Sequence, residues 1–432
     1  MNTIKITLVI FIASLCLFTS CGKKTETITN PNDYKAFLEN KENKSLENAK
    51  KEINFWQNKF DAAPDQYSYL SQISGNYSKL FEITGNIDYL IKTENLLLQS
   101  NESLRYTNVG TIRSLARNYI SQHRFKEALV LANKALAIGE GMKETQKLLF
   151  DVQMELGDYK AAENALKQIT DNKDFDYLLR IAKWSDHKGN LAKAISFMEK
   201  AAKIAEFNSN NYLKVWSYSN LGDMNGHAGN IKESYNYYLK TLAIEPTNTY
   251  ALKGIAWIAF SHEKNTTEAN RIIDIIAKKH NSPDFYLLKS EIAKYEKNDK
   301  AKEDNLKSYF AMLQNNNYGA MYNKYNTLIY ADEKTTANKA LEIAKIEIDH
   351  RPTPDSYDLL AWSYYNLGDA KKALQIEQEY VVGKSFEPKL NYHLATIYKA
   401  NNLLEKVIPI KKELKTSLFE LGPNLTDKIE KL

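Results

Sequence analysis

Residues 216–246 read WSYSNLGDMNGHAGNIKESYNYYLKTLAIEP. Tyr218, Leu221 and Gly222 fall on one helical face, Gly229-Asn230 interrupts it, and Ser234, Tyr238 and Leu242 begin a second face that Pro246 stops. The stretch is therefore two short amphipathic helices folded back at a Gly-Asn turn. Such a hairpin cannot bury its apolar face alone, so its fold requires copies stacked on either side.

The copies are present. Leu360, Ala361, Tyr364, Gly368-Asp369 and Ala373 repeat the pattern, as do Leu394, Ala395, Tyr398, Asn402 and Val407, with Leu360 and Leu394 standing 34 residues apart. This period, with its large-small pair, aromatic, turn glycine and closing proline, resembles the tetratricopeptide repeat. The resemblance implies an all-α superhelix, a solenoid of about nine helical hairpins with degenerate middle ones. Packing supports it independently, because a small residue on each helix lets neighbouring helices approach closely.

At 432 residues a single core would normally divide, whereas a solenoid grows by adding units that touch only their neighbours. The chain has 58 basic and 53 acidic residues, a net charge of only +5, and mostly lysine dispersed along helix surfaces. That distribution argues against a nucleic-acid partner, which calls for a basic stripe with arginine forks. Both cysteines, Cys16 and Cys21, precede the repeats, so no disulfide framework exists. The seven histidines lie without metal-ligand spacing, and no metal or other cofactor is expected.

Residues 1–20 open with Lys5, run largely apolar from Ile6 to Phe18 and end in small polar residues, as a secretion signal does. Leu17-Phe18-Thr19-Ser20-Cys21-Gly22 resembles a bacterial lipobox, with Phe18 where an aliphatic residue is usual, a looseness common in lipoproteins of Bacteroidota-like bacteria. The resemblance implies cleavage before Cys21 and lipidation of that residue, hence a cell-envelope protein anchored by acyl chains. Gly22 and Lys23-Lys24 point to the outer membrane and its periplasmic face. Residues 21–44 are expected to be a lipidated tether. An N-terminal array with a capping helix at Ser45–Phe60 then spans 45–282, degenerate repeats 283–352, and a C-terminal pair with a last capping helix 353–432.

In the family, the first helices of successive hairpins line a concave groove that holds a peptide. Carried to this chain, the resemblance places Arg113, Arg117, Lys147, Asp151, Lys183, Asp223, Trp257 and Trp362 in that groove, with Arg180 and Asn220 close by. Arg105, Arg113, Arg117 and Arg124 are four of the seven arginines, and an i, i+4 arginine pair can clamp a carboxylate or acidic segment. No nucleophile elbow, zinc helix or paired-carboxylate cluster appears, so an enzyme is not expected. The resulting expectation is a membrane-anchored adaptor that binds a protein or peptide partner within an envelope assembly. The alternatives are a glycan-binding outer-membrane lipoprotein and a non-catalytic subunit of an envelope enzyme.

Overall fold

The computed structural model describes residues 26–432, and the signal sequence and Cys21 lie outside them. Every element among the described residues is helical. After Pro31–Glu39 and the capping helix Lys44–Ala62 come ten antiparallel hairpins, one more than the nine expected. The first is Ser68–Thr84 with Ile87–Ser103, the second Val109–Ser121 with Phe125–Ile138, and the third Met142–Glu155 with Tyr159–Gln168. Phe175–His187 with Leu191–Phe207 is the fourth and Asn211–His227 with Ile231–Ile244 the fifth. In the sixth, Thr249–Trp257 continues as a π-turn, Ile258–His262, before Thr266–Ile276 returns. The degenerate stretch supplies the seventh, Asp284–Tyr295 with Asp299–Met312, and the eighth, Asn323–Ala331 with Ala337–His350. Pro354–Asn366 with Ala370–Tyr380 and Pro388–Ala400 with Leu404–Leu414 complete the stack. The last return helix begins at Leu404 with Pro409 inside it.

Turn chemistry sets these boundaries. Asn86, Asp158, Asn190 and Asp369 each accept a backbone N–H from the first turn of the helix that follows, supplying the N-cap. At the second turn His123 takes the left-handed conformation usual for glycine, with φ +59°. Between hairpins the core consists of small and large residues in alternation. Ala116, Ala132 and Ala135 are wholly buried beside Ile112, Leu115 and Phe150.

The superhelix winds tightly enough for successive turns to touch. Asn281 donates its N–H to the Thr84 carbonyl at 2.6 Å, and Arg351 reaches Glu155 at 3.0 Å. Gly157 shows why a turn residue there has no side chain. Its φ is +74°, and a Cβ would stand 2.8 Å from the Pro352 carbonyl oxygen, so the glycine serves the next turn of the superhelix as well as its own helix cap. Between residues 283 and 352 the repeat pattern fades because aromatic residues there make other contacts. Tyr318 packs with Ile87 and Leu90 of the first hairpin, while Tyr309 donates to Asn326 at 2.8 Å.

One expectation is overturned. Residues 28–39 are not a free tether but a strap docked on the second helices of hairpins five and six. Asn30 caps the helix Pro31–Glu39, which buries Tyr34 and Leu38 completely or nearly so. Glu263 accepts the N–H groups of Ile28 and Thr29 at 2.7 and 2.6 Å and the Thr29 hydroxyl at 2.9 Å. The Tyr34 hydroxyl donates to Glu268 at 2.6 Å, and Lys279 donates to the Leu38 and Asn40 carbonyls. Burial of Tyr34 and Leu38 together with satisfied backbone groups outweighs the entropy of a loose segment.

Candidate functional site

First helices touch first helices along the stack, which makes them one wall of the superhelix. On that wall most predicted cations already have partners in the neighbouring hairpin. Arg180 donates to Asp151 at 2.5 Å, and Lys183 pairs with Glu155 at 2.9 Å. Lys147 is only 3% exposed and lies between Glu144 at 2.9 Å and Asp176 at 2.8 Å, with Asp174 at 3.4 Å. Burial works against the Asp174 charge, yet Lys143, the Tyr177 N–H and Lys147 hold its carboxyl down at about 2. Arg113 donates to the carbonyls of Glu140 and Gly141 and to the Thr145 hydroxyl, tying down the loop before the third hairpin. Only Arg117 of this set is exposed with a guanidinium that makes no hydrogen bond or ion pair among the described residues. Crowding by the surrounding helices, then Arg180, lowers its pKa.

Two predicted groove residues are thus corrected. Lys147 is a buried bridge between repeats, since its ammonium is consumed by three carboxylates. Trp362, 8% exposed, is core: its ring stacks on His393 with centroids 3.9 Å apart and on Tyr365 at 5.0 Å. Asn220 spends its amide on the Trp216 carbonyl of its own helix. Asp223 and Trp257, by contrast, line a cavity of about 470 Å³ between the first helices of hairpins five to seven and the C-terminal segment.

Two glycines build the floor of that cavity. A Cβ on Gly222 or Gly254 would come within 2.5 or 2.4 Å of the Tyr238 ring, so their absence of side chains lets Tyr238 pass between two first helices. Its hydroxyl then donates to Asp223 at 2.5 Å, and Tyr250 donates to the other Asp223 oxygen. Burial, then the Asp223 charge, pushes both phenols above their ordinary range. Tyr322 donates to Asp284 at 3.0 Å, and Lys253 approaches the same carboxylate at 3.5 Å.

The roof is the chain's own C-terminal segment, Leu418–Leu421 followed by Pro423–Leu425. Trp257 Nε1 at 3.2 Å and Ser261 Oγ at 2.6 Å both donate to the carbonyl oxygen of Phe419. Ser261 occupies the π-turn, whose extra residue turns the helix wall toward that carbonyl. The Phe419 ring rests where Gly226 has no side chain, for a Cβ there would lie 2.6 Å from it. Asn424 donates to the Glu291 carboxylate at 2.7 Å. Sequence reasoning found Trp257 but not Ser261 or Gly226. The available signal was the single extra residue before Asn265, which breaks the hairpin period at Ile258–His262.

The tetratricopeptide repeat family model matches residues 119–183. Residues 119–183 carry tetratricopeptide repeats. Repeats of this kind serve generally as non-catalytic scaffolds for protein interaction. No curated protein matches the chain. Among solved structures it is similar to pilF of Pseudomonas aeruginosa, at 15% identity and TM-score 0.37 over 49% of this chain and 94% of that one. It is similar to a tetratricopeptide repeat protein from Parabacteroides merdae at 17% identity and TM-score 0.39, covering 57% and 93% of the two chains. For yeast Tom70 the values are 13%, 0.40, 90% and 93%. Among the described residues no helix is long and apolar enough to cross a membrane, and no group of three or more His, Cys, Asp or Glu is placed to hold a metal ion.

Proposed function

We propose that this tetratricopeptide chain is an envelope adaptor that holds a segment of one protein partner in its groove while a lipid on Cys21 ties it to the outer membrane, facing the periplasm. The observation that supports the groove is the fork at Trp257 and Ser261, two side-chain donors aimed at one peptide carbonyl. A peptide ligand offers such carbonyls at every residue. The paired cations of hairpins two to four do not supply a clamp for an acidic partner, so partner contact belongs to hairpins five to seven and to Arg117.

Docking of the strap changes the reach of the proposed anchor. Only residues 22–27 separate Cys21 from Ile28, and six extended residues span roughly 20 Å. In this reading the second helices of hairpins five and six, which hold the strap, lie close to the bilayer. Crosslinking in native cells followed by pulldown, with wild type compared to Cys21→Ala, tests both halves. One dominant envelope protein, reduced when Cys21 is replaced, supports a tethered adaptor. Recovery of no protein, with polysaccharide binding by the purified chain, overturns it.

A further inference from the structure

The cavity beneath Phe419 carries more negative charge than its own residues neutralise. Asp223, Asp284, Glu291 and Glu420 line it against a single ammonium, that of Lys253, with His227 exposed at the rim. Among the described residues, only Asp284 of these four has a cation within ion-pair distance, Lys253 at 3.5 Å. Hydrogen bonds leave acceptor sites over, since an ionised carboxylate has about four. Asp223 receives one phenol on each oxygen, and Glu291 receives Asn424 on one oxygen at 2.7 Å. The other Glu291 oxygen and both Glu420 oxygens have no donor among the described residues. Cations just outside the cavity are engaged elsewhere: Lys294 with Asp332 at 3.1 Å, Lys324 with Asp355 at 3.0 Å, and Lys389 over the Tyr392 ring.

The walls attract the same sign of charge. Trp257, Tyr250 and Tyr325 bring aromatic rings to the cavity, and the two tyrosines remain 49% and 44% exposed. The face of such a ring is the negative end of its quadrupole and draws a cation. This chain already uses the pairing once, because the Lys253 ammonium that approaches Asp284 also lies 5.6 Å from the centre of the Tyr250 ring. At about 470 Å³ the space falls in the roughly 300–1,000 Å³ range of small-ligand sites. It is entered past the exposed Tyr250, Glu291 and Tyr325, so the C-terminal roof stays in place. A guanidinium suits these walls better than an ammonium, since it is planar, stacks on rings and forks to carboxylates. We propose that the cavity receives one arginine side chain of the partner segment, held by Glu291, Glu420 and the free acceptor sites of Asp223 and flanked by the three rings. This rests on the adaptor reading and names what the groove recognises.

Saturation-transfer NMR on the full chain tests it with three probes: the acetylated, amidated peptide Gly-Ser-Arg-Ser-Gly, the same peptide with citrulline, the uncharged isostere of arginine, and maltohexaose. The expected result is that the arginine peptide binds at least about tenfold tighter than the citrulline peptide and weakens as salt is raised. Glu291→Gln combined with Glu420→Gln, which keeps the shape and removes two charges, should bring the arginine peptide close to the citrulline one. Tyr325→Leu should weaken it through the lost ring alone. Circular dichroism verifies folding, and Glu420→Gln, at a side chain without a hydrogen-bond partner, replaces the double variant should that not fold. Equal binding of the two peptides, arginine binding unchanged by the glutamine variants, or binding of maltohexaose in place of the arginine peptide overturns the proposal. If native crosslinking captures a partner equally with wild type and the double variant, the adaptor reading stands and this receptor falls. Selective arginine binding with no protein captured removes the adaptor and leaves a site for a free guanidinium.

Discussion

Glutamine at position 377 should stabilise this protein, and by an amount that grows with pH. Asp358, Glu377 and His393 meet inside the ninth and tenth hairpins with 2%, 0% and 1% exposure. His393 Nδ1 lies 2.8 Å from an Asp358 oxygen, and both Glu377 oxygens are buried without a donor among the described residues. Burial, then the Asp358 charge, pushes the Glu377 carboxyl up to about 10. Burial lowers His393 well below its ordinary value, so that ring is neutral and the contact is a hydrogen bond, not an ion pair. Burial raises the Asp358 carboxyl as well, so the two carboxyls hold one proton between them as a pair. The unfolded chain releases that proton above an ordinary 4.5, while the folded chain holds it up to about 10. Between those values the folded state binds more protons than the unfolded one, so stability falls as pH rises, by about 1.4 kcal/mol per pH unit. The loss amounts to about 3 kcal/mol by pH 7 and roughly double that by pH 9. Glu377→Gln keeps a donor toward Asp358 and has no proton to lose. Urea unfolding followed by far-ultraviolet circular dichroism at pH 5, 7 and 9 should show the variant nearly level with wild type at pH 5 and increasingly more stable above it. Parallel pH profiles for the two chains, or a variant less stable at pH 9, would refute the shared-proton reasoning.

Gly157→Ala should destabilise the fold more than Gly229→Ala, although both glycines have φ near +75°, because a Cβ at 157 collides with the Pro352 carbonyl and one at 229 meets nothing within 4 Å. The Gly229 change should cost about 1 kcal/mol for its backbone alone, and the excess at 157, read from urea midpoints, measures contact between superhelical turns. Tyr34→Ala removes a fully buried ring and a bond to Glu268, about 3 to 5 kcal/mol, and should release the strap to limited proteolysis within residues 28–40 while the hairpins stay protected. Lys147→Met, which leaves Asp176 without its partner, should cost about 1 to 3 kcal/mol, whereas Arg117→Met should change stability by less than about 0.5 kcal/mol in the same melts.

The hairpins were legible because their signals are local. A helical face, a Gly-Asn or Gly-Asp turn and a small residue recur within each unit, and even the degenerate stretch kept enough of them to mark two hairpins. The strap was misread although its signals were local too. Asn30-Pro31 is a helix start, and Tyr34, Phe37 and Leu38 follow at helical spacing, but an apolar stripe of three residues does not reveal what it packs on. Its seat is formed by residues more than two hundred positions away, such as Tyr235 and Glu268. The C-terminal segment has the same character. Nothing between Leu418 and Asn424 indicates a groove ligand until the superhelix brings Trp257 and Ser261 to it.

The candidate cations were misread for a reason that lies in the repeat itself. Adjacent first helices are one period apart, so a charged residue on one finds its partner slightly less than 34 residues along. Lys147 and Asp176 are separated by 29 positions, Arg180 and Asp151 by 29, Lys183 and Glu155 by 28, and Lys253 and Asp284 by 31. Lys324 and Asp355 continue the series at 31. An i, i+4 search sees pairs within a helix and misses these, which cross between repeats. In a solenoid, the test for a free cation on the groove wall is therefore whether an acidic residue stands 28 to 31 positions away on the neighbouring first helix. Arg117 meets that test differently from the others. The positions 28 to 31 residues later are Thr145, Gln146, Lys147 and Leu148, and Asp88, 29 residues earlier, lies on the second helix Ile87–Ser103, so the neighbouring first helices offer it no carboxylate at that distance. Its guanidinium stays uncommitted while every neighbouring cation is spent on the stack, which makes it the one residue of the original arginine pair still available to a partner.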